Sequence, residues 1–351
     1  MSETENRLLS VVEHWLPRIE VAGIPSATAK AVIARAGTWE NWLATWSDEG
    51  ETHARMAAEA LRLGHRVTAG EAYARASLFY HFGQFMAFDD LAAKAEAAAR
   101  KVELFRLAAP LLDPPGELVE IPFEGKILCG YLRRPGGKLP APLVLIVPGS
   151  DSTKEEFPAF EQHFLKRGLA TFSLDGPGQG EGRSVGPLRA DIAPALQATM
   201  NILAKKPGLT GAIGLVGMAF GGFLALRAAA ELPSLKAVVS INGFHDLGAL
   251  WDAFPQIYRD NMAFALGGGD LRAKARTFTL EGASPVGMPA LILHGGRDKI
   301  FPPSAAEASA AHCADATLRI FPKGNHVCNN IPWAYRPQVA DWLADLLGAR
   351  P

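Results

Sequence analysis

Three short segments in the second half of the chain carry residue types that together could perform nucleophilic catalysis. The first is Gly217-Met218-Ala219-Phe220-Gly221-Gly222, between an apolar run ending near Met218 and a helical pattern beginning near Phe220. Glycines there permit a sharp, strained strand-to-helix turn that aims its central side chain out of a sheet and offers the next backbone N–H to an oxyanion. The usual central residue of such a turn is serine; here it is Ala219. The second segment is HGGRDKIFPP, with Asp298 just past the run ALILHGG, and the third is FPKGNHVCNN, with His326 just past LRIF. A serine hydroxyl is a weak nucleophile until an imidazole removes its proton, and a carboxylate holds that imidazole in the right tautomer. Taken singly, His326 reads as a turn residue, Asp298 as a helix cap and the glycine segment as a tight turn. Their order along the chain and their common placement at strand ends carry the triad reading.

A methyl group cannot attack a carbonyl, so Ala219 fits two accounts. It is either a Ser→Ala replacement that stops turnover, or the mark of a chain that lost its nucleophile and binds or does other chemistry. The intact Asp298, His326 and elbow glycines favour the first. Ser240 lies inside an apolar run and Ser150 in a loop, so neither stands on an elbow.

The loop from Val147 to Glu156 follows the run LVLIVPG. A loop in that place supplies a second oxyanion N–H, from Ser150 or Asp151, beside that of Phe220. The same residues also read as a helix start, with Ser152 capping and Glu155 three positions on. The segment Asp175–Gly182 (DGPGQGEG) is glycine-rich but begins with a carboxylate and lacks a GK[ST] ending, so it reads as a strand-end turn. The 9 histidines form no pair at metal-ligand spacing, and no metal or other cofactor is expected.

These loops need elements to position them. Residues 143–149, 170–176, 212–218, 237–243, 290–296 and 318–324 are short apolar runs, nearly all ending at glycine and mostly separated by helical patterns. Runs apolar on both faces alternating with helices mean a mostly parallel, doubly wound sheet covered on both sides. Ligands of such a sheet sit beyond the C-terminal ends of its strands. Two strands around Glu124-Gly125 precede the runs as a hairpin, and the C-terminal helix places Val339, Trp342, Leu343, Leu346 and Leu347 on one face. Residues 1–110 read as helix after helix. Ala57, Ala60, Leu61 and Gly64 share one face, Tyr73, Ala76, Tyr80 and Gly83 another, and residues 91–108 are almost pure helix formers. Leu112-Asp113-Pro114-Pro115-Gly116 ends this region. The predicted organisation is an all-helical domain over 1–110 and an α/β domain over 111–351.

Of 351 residues, 48% are hydrophobic and 20% charged, and the formal net charge is −1. That balance suits globular domains and offers no basic face, so nucleic acid and anionic membrane are poor partners and a small molecule is expected. The opening MSETENRLLS lacks the basic start and apolar run of a secretory signal. With 3 cysteines at no ligand spacing, a reduced, cytoplasmic protein is expected.

The strings PGSDSTKEE, DGPGQGEG, GMAFGG and GNHVCNN, with AYARASLFYHFG in the helical region, resemble one branch of the α/β-hydrolases. That branch includes 2,6-dihydroxypseudooxynicotine hydrolase, the fungal hydrolases that shorten polyketide chains, and fermentation-respiration-switch-type esterases. The resemblance covers nearly the whole chain. It implies an α/β-hydrolase fold with a helical N-terminal lid, and attack by a serine at position 219 on a carbonyl. In several branch members the bond cleaved is a carbon–carbon bond next to a ketone, in hydrophobic aromatic or polyketide-like substrates. A carbanion is a poor leaving group, so it must be delocalised and protonated as it departs. The resemblance directs the search for that acid to residues 243–252, where Asp246, Asp252 and His245 are candidates and also read as ordinary loop and cap polarity. A carboxylesterase, with an alkoxide leaving group, needs no such acid. A binding protein that kept the pocket, or a lyase or cyclase using His326 without a nucleophile, are further readings. Phe79, Tyr80 and Phe82, the Trp39/Trp42/Trp46 set, Phe244 and Trp251 are candidate pocket residues, although aromatic stripes at helical spacing are more often core. His294 reads as a hydrogen-bonded strand-end residue. A homodimer is implied by resemblance alone.

Overall fold

The computed structural model describes residues 3–137 and 140–349. The chain folds as two compact units. One holds the residues up to Leu118 together with Glu155–Phe160, and the other holds Val119–Lys154 and the chain from Glu161 onward.

The first unit is built from α1 (Glu3–Ala22), α2 (Ser26–Ala36), α3 (Trp42–Arg62), α4 (Arg66–Gln84) and α5 (Leu91–Ala108). Helix α5 coincides with the run of helix formers at 91–108, and it starts where Asp90 Oδ1 accepts the N–H groups of Ala92 and Ala93 at 3.0 and 2.9 Å. Helix α4 packs against both α3 and α5 and is buried on every face from Ala76 to Gln84. Its carbonyl end is closed by the buried Lys94, whose ammonium donates to Phe85 O and Gln84 Oε1 at 3.0 Å each.

The expected boundary at 110 did not foresee that residues 155–160 join this unit. The reason is buried charge. Glu155 lies 3.1 Å from Lys101 Nζ, with both side chains almost fully buried. Arg18 donates to both carboxylate oxygens of Glu156 at 2.7 Å, and His81 Nε2 lies 3.2 Å from Glu156 Oε2. Burial alone would raise the Glu156 carboxyl, but Arg18 and then His81 hold it well below the usual carboxylate range. Burial pushes the His81 imidazole down, which favours the neutral ring beside Glu156.

The second unit is an eight-stranded sheet of β1 (Gly116–Phe123), β2 (Lys126–Arg133), β3 (Ala141–Val147), β4 (Ala170–Leu174), β5 (Leu209–Met218), β6 (Ala237–Ile241), β7 (Ala290–Gly295) and β8 (Ala316–Phe321). Its order is β1-β2-β4-β3-β5-β6-β7-β8; β2 pairs antiparallel with β4, and β4-β3-β5-β6-β7-β8 are parallel. The helices of this part are α6 (Pro158–Leu165), α7 (Ala193–Leu203), α8 (Phe220–Ala229), α9 (Leu247–Leu250), α10 (Gln256–Ala265), α11 (Leu271–Ala275), α12 (Pro303–Ala311) and α13 (Pro332–Leu347). The hairpin turn Glu124-Gly125 has φ of 48° and 72°, the pair of left-handed residues a two-residue type I′ loop demands. Strands β3, β4, β6 and β7 are buried along their whole length, as continuous apolar runs require.

Two expectations are corrected here. Strand β8 is exposed from Ala316 to Ile320, because it is the last strand of the sheet rather than a covered one. Helix α13 buries Val339, Leu343 and Leu347, a strict four-residue row, while Leu346 is exposed and Trp342 half-buried. Among the described residues no helix is long and apolar enough to cross a membrane.

Breaking one partner of a buried pair strands the other's charge, which costs about 3–5 kcal/mol. Arg18→Met is therefore expected to lower the unfolding free energy read from urea titration by about that much, and the urea midpoint with it, with part recovered in Arg18→Met/Glu156→Gln. Equal midpoints for parent and single variant would show the pair to be dispensable.

Candidate active site

One residue, Ala219, separates the end of β5 from the start of α8, and its φ of 51° with ψ of −118° is a strained conformation for a residue bearing a Cβ. Such a conformation costs of order 1–3 kcal/mol and persists only where its surroundings over-determine it. Here Ala219 N–H donates to Ile241 O and Gly222 N–H donates to Ala219 O, both at 2.8 Å. The flanking glycines leave no room for alternatives: a Cβ on Gly217 would lie 1.9 Å from Gly221 O, and one on Gly221 2.3 Å from Val147 O. The turn is the strand-to-helix elbow read from the sequence.

The ends of β7 and β8 bring in the other two members. Asp298 follows β7 and His326 follows β8, and His326 Nδ1 lies 2.8 Å from Asp298 Oδ2. The Asp298 side chain is fully buried. Its Oδ1 accepts the N–H groups of Ile300 and Phe301 at 2.7 and 3.2 Å, and its Oδ2 also accepts the Asn242 amide at 2.8 Å. Burial on its own would raise this carboxyl, but the His326 charge and hydrogen bond, then Asn242 and Ile300 N–H, hold it at about 2. A carboxylate ionised at neutral pH fixes Nδ1 as the protonated ring nitrogen and leaves Nε2 the unprotonated one. Phe301 packs on the imidazole with ring centroids 5.7 Å apart.

The loop after β3 reaches the elbow. A Cβ built on Gly149 would sit 3.7 Å from Ala219 Cβ and 3.8 Å from Asp151 Oδ1. Ser150 Oγ accepts the buried Asn261 amide of α10 at 2.9 Å, and Gln179 donates to Pro148 O at 2.6 Å and Gly149 O at 3.1 Å. Phe220 N–H is the first of α8, one of the helix-start donors with no intrahelical acceptor. The Phe220 ring is buried against Phe223, Phe244 and Phe278, which fixes that backbone. The segment 175–182 is the expected strand-end turn: Asp175 accepts Lys154 N–H at 2.8 Å and Lys154 Nζ at 2.7 Å.

The remaining candidates are placed elsewhere. Asp246 caps α9 by accepting Ala249 N–H at 2.8 Å, and Asp252 is exposed and paired with Arg272. The His245 ring lies edge-on to His312 at 6.0 Å. Phe244 is fully buried, stacked on Phe223 at 4.7 Å, and Trp251 packs on Phe254. Phe79 and Phe82 are fully buried in the helical unit against Trp46. Tyr80, Trp39 and Trp42 line a groove of about 930 Å³ in that unit. His294 is the expected strand-end residue, its Nε2 2.9 Å from Phe301 O.

Sequence reasoning passed over Asn242, Asn261 and Gln179. Only Asn242 left a signal: an asparagine before glycine at the end of an apolar run marks a left-handed position, and its φ is 51°.

A mostly parallel sheet with elbow, acid and histidine at successive strand ends defines an α/β-hydrolase fold. The chain is 34% identical over 317 residues to the 2,6-dihydropseudooxynicotine hydrolase of Paenarthrobacter nicotinovorans, covering 88% of this chain and 85% of that one. A crystal structure of 2,6-dihydroxy-pseudo-oxynicotine hydrolase matches with a TM-score of 0.87 and 30% identity, over 95% of this chain and 97% of the other. The alpha/beta hydrolase pydG of an Acremonium species is 35% identical over 226 residues, 60% of this chain and 53% of its own, so this chain spans about half of that relative. A model described as "Esterase FrsA-like" matches residues 29–285. The chain belongs to the FrsA-like esterase family.

The depressed Asp298 carboxyl makes stability depend on acid. An unfolded aspartate takes up its proton near pH 4 and the folded one near 2, so the unfolded state binds more protons between those values. The contribution, roughly 2–3 kcal/mol, is complete above about pH 4 and is lost as pH falls toward 2. Urea unfolding at pH 5 and pH 3 is expected to show a steeper loss in the parent than in Asp298→Asn. Equal slopes would mean that the carboxyl is not held ionised in this way.

Proposed function

We propose that this chain is a serine-type hydrolase scaffold whose reaction, with serine at position 219, is cleavage of a carbon–carbon bond next to a ketone in a hydrophobic aromatic or polyketide-like small molecule. The observation that carries the reading is the buried Asp298–His326 pair, 2.8 Å apart and following the strands beyond the elbow. The 34% identity to a 2,6-dihydropseudooxynicotine hydrolase supports hydrolysis of a small molecule.

In this reading His326 Nε2 takes the proton of the serine hydroxyl as Oγ attacks the carbonyl carbon. The oxyanion that forms meets Phe220 N–H and a second N–H from Ser150 or Asp151. Collapse breaks the carbon–carbon bond; the electron pair leaves on the ketone side and takes a proton from His326, either directly or through an added acid that His326 then reprotonates. Water, deprotonated by His326, then attacks the acyl-enzyme and releases a carboxylic acid. With Ala219 the chain keeps the base and the donors but lacks Oγ, so it binds without efficient turnover. By the same reading the protein works in the cytoplasm, as a homodimer.

A carboxylesterase is the second reading, favoured by the family model named for an esterase. An alkoxide needs no added acid, and Asp246 and Asp252 are engaged in a helix cap and a surface ion pair.

Ala219→Ser is expected to raise turnover by on the order of 10⁴-fold or more on an aryl ester or an aryl β-diketone, followed by mass spectrometry. Faster cleavage of the diketone, with roughly 100-fold loss in one of Asp246→Asn, Asp252→Asn or His245→Gln, supports carbon–carbon cleavage. Faster ester cleavage, indifferent to all three, supports the esterase. Equal turnover with alanine and serine would sink the triad mechanism in favour of His326 acting alone.

A further inference from the structure

We infer that Asn242 is a positioning residue of this site: its side-chain amide holds Asp298 in the orientation that His326 requires. This rests on the hydrolase reading above. Asn242 follows β6, is fully buried, and has its backbone N–H on Leu293 O at 2.7 Å. The direction of its amide is unambiguous. Gly295 N–H points at Asn242 Oδ1 from 3.2 Å, and a backbone N–H can face only an acceptor. The NH₂ group is therefore the end that faces Asp298 Oδ2, at 2.8 Å. The Cys328 thiol, two residues past His326, also donates to Asn242 Oδ1, with Sγ at 3.7 Å.

One side chain thus joins the ends of β6 and β7, the acid loop and the histidine loop. Gly295 is locked in the same place, since a Cβ there would lie 2.1 Å from Asn325 O, the residue before His326. Asp298 Oδ1 is held by Ile300 and Phe301 N–H; Oδ2 is held by Asn242 and His326. Without Asn242, the oxygen that orients the imidazole depends on the imidazole alone. The titratable groups facing Asp298 are His326 from its own loop, His294 of β7 with Nε2 at 3.9 Å, and Cys328. Burial keeps His294 low and neutral, and burial with the Asp298 charge pushes the Cys328 thiol up to about 12. Neither supplies a cation that could replace the amide.

Asn242→Gly retains the left-handed backbone and deletes the amide; Asn242→Asp keeps the shape and turns the donor into an acceptor. In the chain as it stands, both are expected to move the Asp298 carboxyl titration, read by ¹³C NMR, to higher pH and to speed exchange of the His326 Nδ1 proton. In the Ala219→Ser background kcat is expected to fall roughly 10- to 100-fold with KM within about twofold, and the acidic limb of the pH–rate profile to move upward. Should both variants fail to fold, the parent decides: the Asn242 ¹⁵Nδ2 shift must follow Asp298 protonation. Folded variants with an unchanged Asp298 titration, or a parent amide blind to that protonation, would overturn the inference. Absence of turnover in Ala219→Ser would overturn only the hydrolase reading, because the NMR measurements need no activity.

Discussion

Between the last residue of β5 and the first of α8 stands a single residue, and its backbone must pass through a left-handed conformation to connect them. Everything at the site is arranged around that turn. Among the contacts that hold it, β6 offers Ile241 O to Ala219 N–H, and the next residue at the end of β6, Asn242, is the one that reaches Asp298. Parallel neighbours with matched ends are what make this possible: Met218 is in register with Ile241, and Ile241 with Leu293. Ala219, the Asp298 carboxylate and the His326 imidazole, far apart in sequence, then emerge beyond the strand ends on one side of one sheet.

Buried charge does the corresponding work for the loop after β3. Lys154, fully buried, closes on Asp175 at 2.7 Å, and Arg133 closes on Glu161 at 2.8 Å. Between them Glu155 and Glu156 belong to the helical unit, through Lys101 and Arg18. A buried pair adds little net stability over an apolar equivalent, but a wrong register would strand each of these charges without a partner. The segment that begins at the loop after β3 is therefore specified residue by residue, and the Gln179 bonds to Pro148 and Gly149 hold the part of that loop nearest the elbow.

Local pattern was a good guide where one interaction dominates. Helix α5 follows helix-former composition, the hairpin follows Glu124-Gly125, and the covered strands follow their apolar runs. It failed where a neighbour decides. The run LRIF reads like a core strand yet β8 lies at the edge, and Leu346 falls off a face that Val339, Leu343 and Leu347 define. Phe79 and Phe82, candidate pocket residues that read more readily as core, are core, and it is the packing of Trp46 against them that shows it.

By itself the amino-acid sequence determined the alternation of strands and helices, the elbow with Ala219 at its centre, and the order of Asp298 and His326 after it. Those are properties of short windows, in which glycine freedom and apolar periodicity act over a few residues. The tertiary structure alone decided which side chains hold Asp298, which polar groups anchor the loop after β3 and which unit claims Glu155 and Glu156. A hydrogen bond between residues 56 positions apart, such as Asn242 to Asp298, leaves no periodic trace. It exists because a sheet brings strand ends together, and a buried carboxylate there must find donors on whatever segment is nearest.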